Sequence, residues 1–248
     1  MSVIPPNLPW QPDEPSPACA RIMQSYLTRV PPQLAGVYFH PAVGANYGQS
    51  TSDGPSPKVW LLGASHYEWE PHAAQCGIQR PPTLTCWNIA AQMTSSTIRF
   101  YTNLECTLLG RMPTPAEREE IWASVVFSNF VQQIVGYGPT ARPTPHMWAT
   151  GHTAFRSILE ALQPDVVLVC GFELWEHLPE GYTALPAMHD GTIALQRREY
   201  GHTIACRLRH PSSQSGVLQS GVAPGHHAGH GSARFLPYSS ITSVVSPG

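Results

Sequence analysis

Four short stretches of the chain carry continuous rather than alternating apolar character: Val59-Trp60-Leu61-Leu62, Val125-Val126-Phe127, Val166-Val167-Leu168-Val169-Cys170 and Thr203-Ile204-Ala205-Cys206-Arg207-Leu208. A strand with one wet face alternates, so runs of this kind suit strands covered on both faces, as in a parallel sheet. The intervals between them have helical spacing. Thr144-Pro145 opens one interval, whose apolar positions Trp148, Phe155, Ile158, Leu159 and Leu162 lie close to one face, and Pro164 stops it just before the third strand. Trp148 and Trp175 read as core residues. Segments 85–109 and 115–122 read as largely helical, and a shorter helix is expected over 18–30. Thr192-Ile193-Ala194-Leu195 is placed as a hairpin partner of the fourth strand, turning near Glu199-Tyr200-Gly201. Strands alternating with helices predict an α/β chain, a three-layer α/β/α arrangement around a central, mainly parallel four-stranded sheet.

Proline and glycine set the boundaries. Residues 1–17, with Pro5, Pro6, Pro9, Pro12, Pro15 and Pro17, read as an extended arm. A single α/β domain is expected over 18–220, interrupted by a Gly/Ser/Pro-rich loop at 44–57, and residues 221–248 form a Gly/His/Ser/Pro-rich tail. The 248 residues suffice for one substantial domain. The longest apolar run has only strand length, so no membrane contact is expected. Met1 leads into Pro-rich polar sequence rather than a basic and then apolar region, which reads as a cytoplasmic protein without a secretory signal.

Charge narrows the partners. With 12% charged residues and a net charge of −2, the chain is not a uniformly basic nucleic-acid binder, although a local basic patch is compatible with these values. Lys58 is the only lysine among 14 basic residues, and arginine suits phosphate contacts. The six cysteines form no CxxC pair and read as reduced thiols rather than a disulfide or zinc framework. His226, His227 and His230 have a spacing that could bind zinc on a helix, but Pro224, Gly225, Gly229 and Gly231 oppose a helix there. No metal or cofactor is expected, and no obligate protein partner is evident.

In an open parallel sheet, ligands gather beyond the carboxyl ends of the strands. The residues immediately after the four runs are therefore the candidates. They are Gly63-Ala64-Ser65-His66-Tyr67-Glu68-Trp69-Glu70, then Ser128-Asn129-Phe130, then Gly171-Phe172-Glu173, then Arg209-His210-Pro211-Ser212-Ser213-Gln214. Taken singly each has a plainer reading. Gly171 is a tight turn, Asn129 a turn residue or helix cap, Glu68 and Glu70 solvated carboxylates.

As an ordered set, these strand ends resemble the uracil-DNA glycosylase superfamily. Its members carry a first strand ending in a Gly-x-x-x-Tyr or Gly-x-x-Pro-Gly loop, a second ending in Asn, a third ending in Gly and a fourth leading into His-Pro-Ser. The likeness covers roughly residues 58–216. It implies hydrolysis of the N-glycosidic bond of uracil or another modified base flipped from single-stranded or damaged duplex DNA. In that reading His210 stabilises the departing base anion, and Asn129 pairs with the edge of the extruded pyrimidine. Tyr67 walls the base at its C5 position, with Gly63 and Ala64 beside it, and Trp69 or Trp87 is the candidate stacking platform. Ser212, Ser213 and Gln214 approach the DNA backbone, while Arg207 and Arg209, with Arg197 and Arg198, supply phosphate contacts.

One motif departs from the family. Hydrolytic members usually hold a carboxylate or Asn in the first loop, where it positions the attacking water, whereas this chain has Ala64 and Ser65, with His66 in place of the usual Pro. Ser65, His66, Glu68 and Glu70 are the available substitutes. The departure opens an alternative function, a catalytically weak or inactive member of the same fold that binds a base or single-stranded nucleic acid as a sensor or inhibitor. Paired cysteines of the kind that hold an iron–sulfur cluster in some relatives are absent.

Overall fold

A computed structural model describes residues 16–51, 54–68, 80–94, 98–189 and 194–207. The strand β4 (Val59–Gly63) explains the architecture. All five of its residues are buried. Val59 and Leu61 enter one core with Val125, Phe127, Val166 and Leu168, while Trp60 and Leu62 enter a second with Val126, Val167 and Val169. Helices cover both faces. The first core is closed by α1 (Pro17–Leu27), α2 (Leu84–Thr94), α3 (Arg99–Leu109) and α4 (Pro115–Ser124) through Tyr26, Ile89, Leu104 and Trp122. The second is closed by α5 (Pro145–Leu162) and α6 (Phe172–Glu176) through Trp148, Phe155, Ile158 and Trp175. Two-sided burial is why the apolar runs do not alternate.

The sheet has seven strands rather than the four expected. Its centre is the parallel set β6 (Val125–Asn129), β4, β8 (Val166–Val169) and β11 (Thr203–Arg207). β1 (Ala42–Val43) adds antiparallel beside β6, and β10 (Ala194–Tyr200) with β9 (Thr183–His189) extends the other side antiparallel. Two residues of β1 are too few to leave a periodic signal, and Pro186 interrupts the pattern of β9. A hairpin does form with β11, but through Gln196–Tyr200 rather than the expected residues 192–195. Tyr200 pairs with Thr203 across Gly201-His202, Ala194 and Leu195 pair with β9, and residues 192 and 193 lie outside the described residues. Two further ladders lie outside the large sheet. β2 (Ser50–Thr51) pairs with β3 (Gly54–Pro55) within the segment read as a loop, and β5 (His66–Glu68) runs parallel to β7 (Ile134–Tyr137).

Helix ends follow their capping chemistry. Pro17, read from the sequence as the last residue of an extended arm, opens α1, with the Ser16 side chain accepting from the Cys19 amide. Proline is tolerated there because the first helical amide has no intrahelical partner. Thr144 and Pro145 open α5 in the same way, and α4 begins with a complete capping box between Thr114 and Glu117. The 85–109 segment divides into α2 and α3. No helix among the described residues is long and apolar enough to cross a membrane.

One buried carboxylate ties three helices. Glu105 on α3 is fully buried and accepts from Trp122 Nε1 at 2.7 Å, Arg118 Nε at 3.0 Å and Gln92 Nε2 at 3.1 Å. Replacing it with alanine leaves a buried indole N–H and a guanidinium without their acceptor. Glu105→Ala is expected to lower unfolding stability by about 3–5 kcal/mol, read from urea denaturation. A loss below about 1 kcal/mol would contradict this role.

Candidate functional site

Parallel pairing carries the last residues of β4 and β6 to the same edge, with Gly63 opposite Asn129. The Asn129 side chain lies over the Gly63 backbone: a Cβ on Gly63 would sit 2.3 Å from Asn129 Oδ1 and 3.1 Å from Phe127 Cζ. Glycine is needed here for close approach. Asn129 is only 5% exposed, and its side chain makes no hydrogen bond among the described residues. Its carbonyl accepts from Gln132 Nε2 at 2.6 Å, and Gln132 Oε1 in turn accepts from the amides of Tyr38 and Phe39. The amides of Phe130 and Val131 donate to the carbonyls of Gly63 and Ala64, both at 2.9 Å. The backbone on each side of the Gly63–Asn129 contact is thereby held.

Residues 66–68 are not a loop but the strand β5, and its period of two sorts them. His66 and Glu68 point inward and Tyr67 is half-buried. His66 Nε2 lies 2.9 Å from Thr85 Oγ1, and its ring packs edge-on against Phe39 with centroids 4.9 Å apart. Burial pulls its pKa down to about 3, so the imidazole is neutral and only weakly basic. Glu68, expected to be solvated, is buried with Arg80 Nε 2.6 Å from its carboxylate, and its carbonyl accepts from the Gly138 amide. Both side chains anchor β5 to the protein interior. Ala64 and Ser65 are half-buried.

Tyr67 stands on the other side of β5. Its phenol is pushed up by burial and interacts electrostatically with that of Tyr101. Tyr101 packs edge-on against Phe127, centroids 5.2 Å apart, and Phe100 lies 6.1 Å from the same ring while remaining partly exposed. Gly63, Asn129, Phe127 and Tyr101 thus form one connected group. Phe127, Phe100, Tyr101 and Gln132 were not among the site residues expected from the sequence. The aromatic pair that opens α3 was the available signal, hidden inside a segment read only as helix.

The arginines expected at phosphates are used differently. Arg197 donates to the Pro186 carbonyl. Arg198 donates to the Trp175 carbonyl and lies 4.4 Å from the ring centroids of both Trp175 and Tyr182. These two close the β10 side of the sheet onto α6 and the 182 segment. Arg207 does reach the carboxyl edge, but it is buried with its guanidinium 4.7 Å from the Phe172 ring centroid. Gly171 has φ +127°, in accord with a turn, and opens α6. Trp87 is half-buried on α2. Trp69, Glu70, Arg209, His210, Ser212, Ser213 and Gln214 lie outside the described residues, as do the 1–15 and 208–248 segments with their histidine cluster.

Among the described residues, no group of three or more His, Cys, Asp and Glu lies together as a metal site. A cavity of about 400 Å³ opens beside the end of α1, between Leu27, Val30, Leu34, Val37 and His40, and Gly63 and Asn129 do not line it. No protein-family model, curated protein or solved structure matches the chain.

Gly63→Ala forces the Asn129 carboxamide aside and is expected to cost about 1–3 kcal/mol of stability as overpacking, measured by thermal or urea unfolding. An unchanged protein would contradict the close approach. His66 is neutral in the folded chain, whereas an unfolded histidine takes a proton below about pH 6.5. Its contribution is therefore intact above that pH and is lost as pH falls toward about 3. His66→Gln is expected to flatten the decline in denaturation midpoint between pH 7 and pH 4, and equal declines in both proteins would contradict it.

Proposed function

We propose that the chain is a DNA glycosylase-like enzyme of the uracil-DNA glycosylase type, acting in the cytoplasm on a modified base extruded from DNA. The observation that carries the reading is the Asn129 carboxamide, seated over Gly63 at the end of β6 with no hydrogen-bond partner of its own among the described residues. A carboxamide that makes no hydrogen bond within the protein is free to pair with a ligand or water. One acceptor and two donors match the Watson–Crick edge of a pyrimidine. Tyr67, on the outer side of β5, supplies the wall beside the base. The parallel centre β6-β4-β8-β11 supports a ligand site at the carboxyl edge, where Gly63 and Asn129 stand on the neighbouring strands β4 and β6.

The chemistry then rests on what each residue can do. As the bond from the sugar C1′ to the base nitrogen breaks, the electron pair leaves with the base, and Asn129 and His210 stabilise the resulting anion by hydrogen bonding. Water adds to the oxocarbenium carbon and releases a proton. His66 is a weak base held against Thr85, and Glu68 is held by Arg80, so neither is placed as a strong water activator. Leaving-group stabilisation supplies most of the acceleration in this reading. The same two observations favour the second reading, a weak or inactive relative that binds a base without cleaving it.

Single-turnover excision on single-stranded and mismatched oligonucleotides bearing uracil and other modified bases, followed by alkali cleavage, tests the proposal. Asn129→Ala and His210→Ala are each expected to slow excision by about a hundredfold, and Ser65→Ala to change it only a few-fold. Wild-type rates in the His210 variant would overturn the mechanism. Absence of excision on every base, with binding retained, would establish the binding-only reading.

A further inference from the structure

Phe172 is used by neither the core nor the chemistry above. It comes directly after Gly171 at the end of β8, opens α6 and is 68% exposed. Gly171 has φ +127° and nothing lies within 4 Å of a Cβ built there, so backbone conformation rather than crowding reserves the glycine. The ring does not stand alone. Arg207 is paired in register with Val169 of the neighbouring strand, and its buried guanidinium sits 4.7 Å from the ring centroid. Beside Phe172, the exposed Arg142 reaches Glu173 at 3.5 Å and brings a cation from the 138–144 segment to the same end of the sheet. An apolar ring backed by one arginine and flanked by charged side chains differs from a hydrophobic docking patch, which is contiguous. It matches the pairing of aromatic faces with basic groups that holds single-stranded nucleic acid.

We infer that Phe172 is a base-stacking platform, on which an unpaired base neighbouring the extruded nucleotide lies, with Arg142 beside the adjoining phosphate. The inference rests on the nucleic-acid reading above and extends it from the extruded base to the strand around it. Stacking on a ring is tolerant of base identity, so Phe172 contributes affinity rather than sequence preference.

The test uses the full chain and a single-stranded oligonucleotide carrying an abasic-site analogue with 2-aminopurine next to it. Anisotropy reads affinity and 2-aminopurine emission reads stacking. Phe172→Ala is expected to weaken binding on the order of tenfold and to abolish the emission change, while Phe172→Trp retains both. Met112→Ala, which alters a comparably exposed apolar side chain (64%) between α3 and α4, is expected to bind as the wild type does. Unchanged affinity and emission in Phe172→Ala, with base excision intact, would overturn the platform and leave the glycosylase reading standing. Failure of the wild-type chain to bind any oligonucleotide would overturn both.

Discussion

Burying β4 on both faces while pairing it in register with β6 and β8 is the constraint on which the rest of the molecule depends. Trp60 and Leu62 must find one core and Val59 and Leu61 the other, which requires helices on both sides. Even the polar groups inside comply, as Trp60 Nε1 donates to the Ser128 hydroxyl at 3.0 Å. Parallel register then sends the carboxyl ends of β4, β6, β8 and β11 to one edge. At that edge Gly63 meets Asn129, and the absence of a side chain on the one admits the carboxamide of the other.

Around this contact, polar side chains divide into those committed to structure and those left over. His66, Glu68, Gln132, Arg197 and Arg198 each direct their hydrogen bonds to the protein's own groups. A neutral buried imidazole and a carboxylate held by a guanidinium are rigid supports for β5. Asn129 has the opposite character, rigidly placed and chemically uncommitted. Preorganised polar groups of that kind are what a recognition site needs, because they bind without reorganising.

The parallel centre was legible in the sequence because two-sided burial writes itself as uninterrupted apolar runs, and Thr144-Pro145 and Pro164 marked α5 through capping and breaking chemistry. The added strands were not. β1 is two residues long, and Pro186 disrupts β9. The burial of Glu68, expected to be solvated, was not legible because β5 is only three residues, too few for alternation to show against Tyr67. Gly63 and Asn129 were legible as the residues that close β4 and β6, because uninterrupted apolar runs mark where those strands end. Phe127 and Tyr101 contribute through packing, which depends on a crossing of α3 over β6 that no local pattern encodes.

The central claim is that Asn129, seated over Gly63, reads a base. Side-chain amide resonances of Asn129, assigned by their loss in Asn129→Ala, report on it directly during titration with free uracil and with a uracil-containing single-stranded oligonucleotide. These resonances are expected to shift on binding, and Gly63→Ala is expected to remove the shift. Binding of either ligand with the Asn129 amide signals unmoved would contradict it.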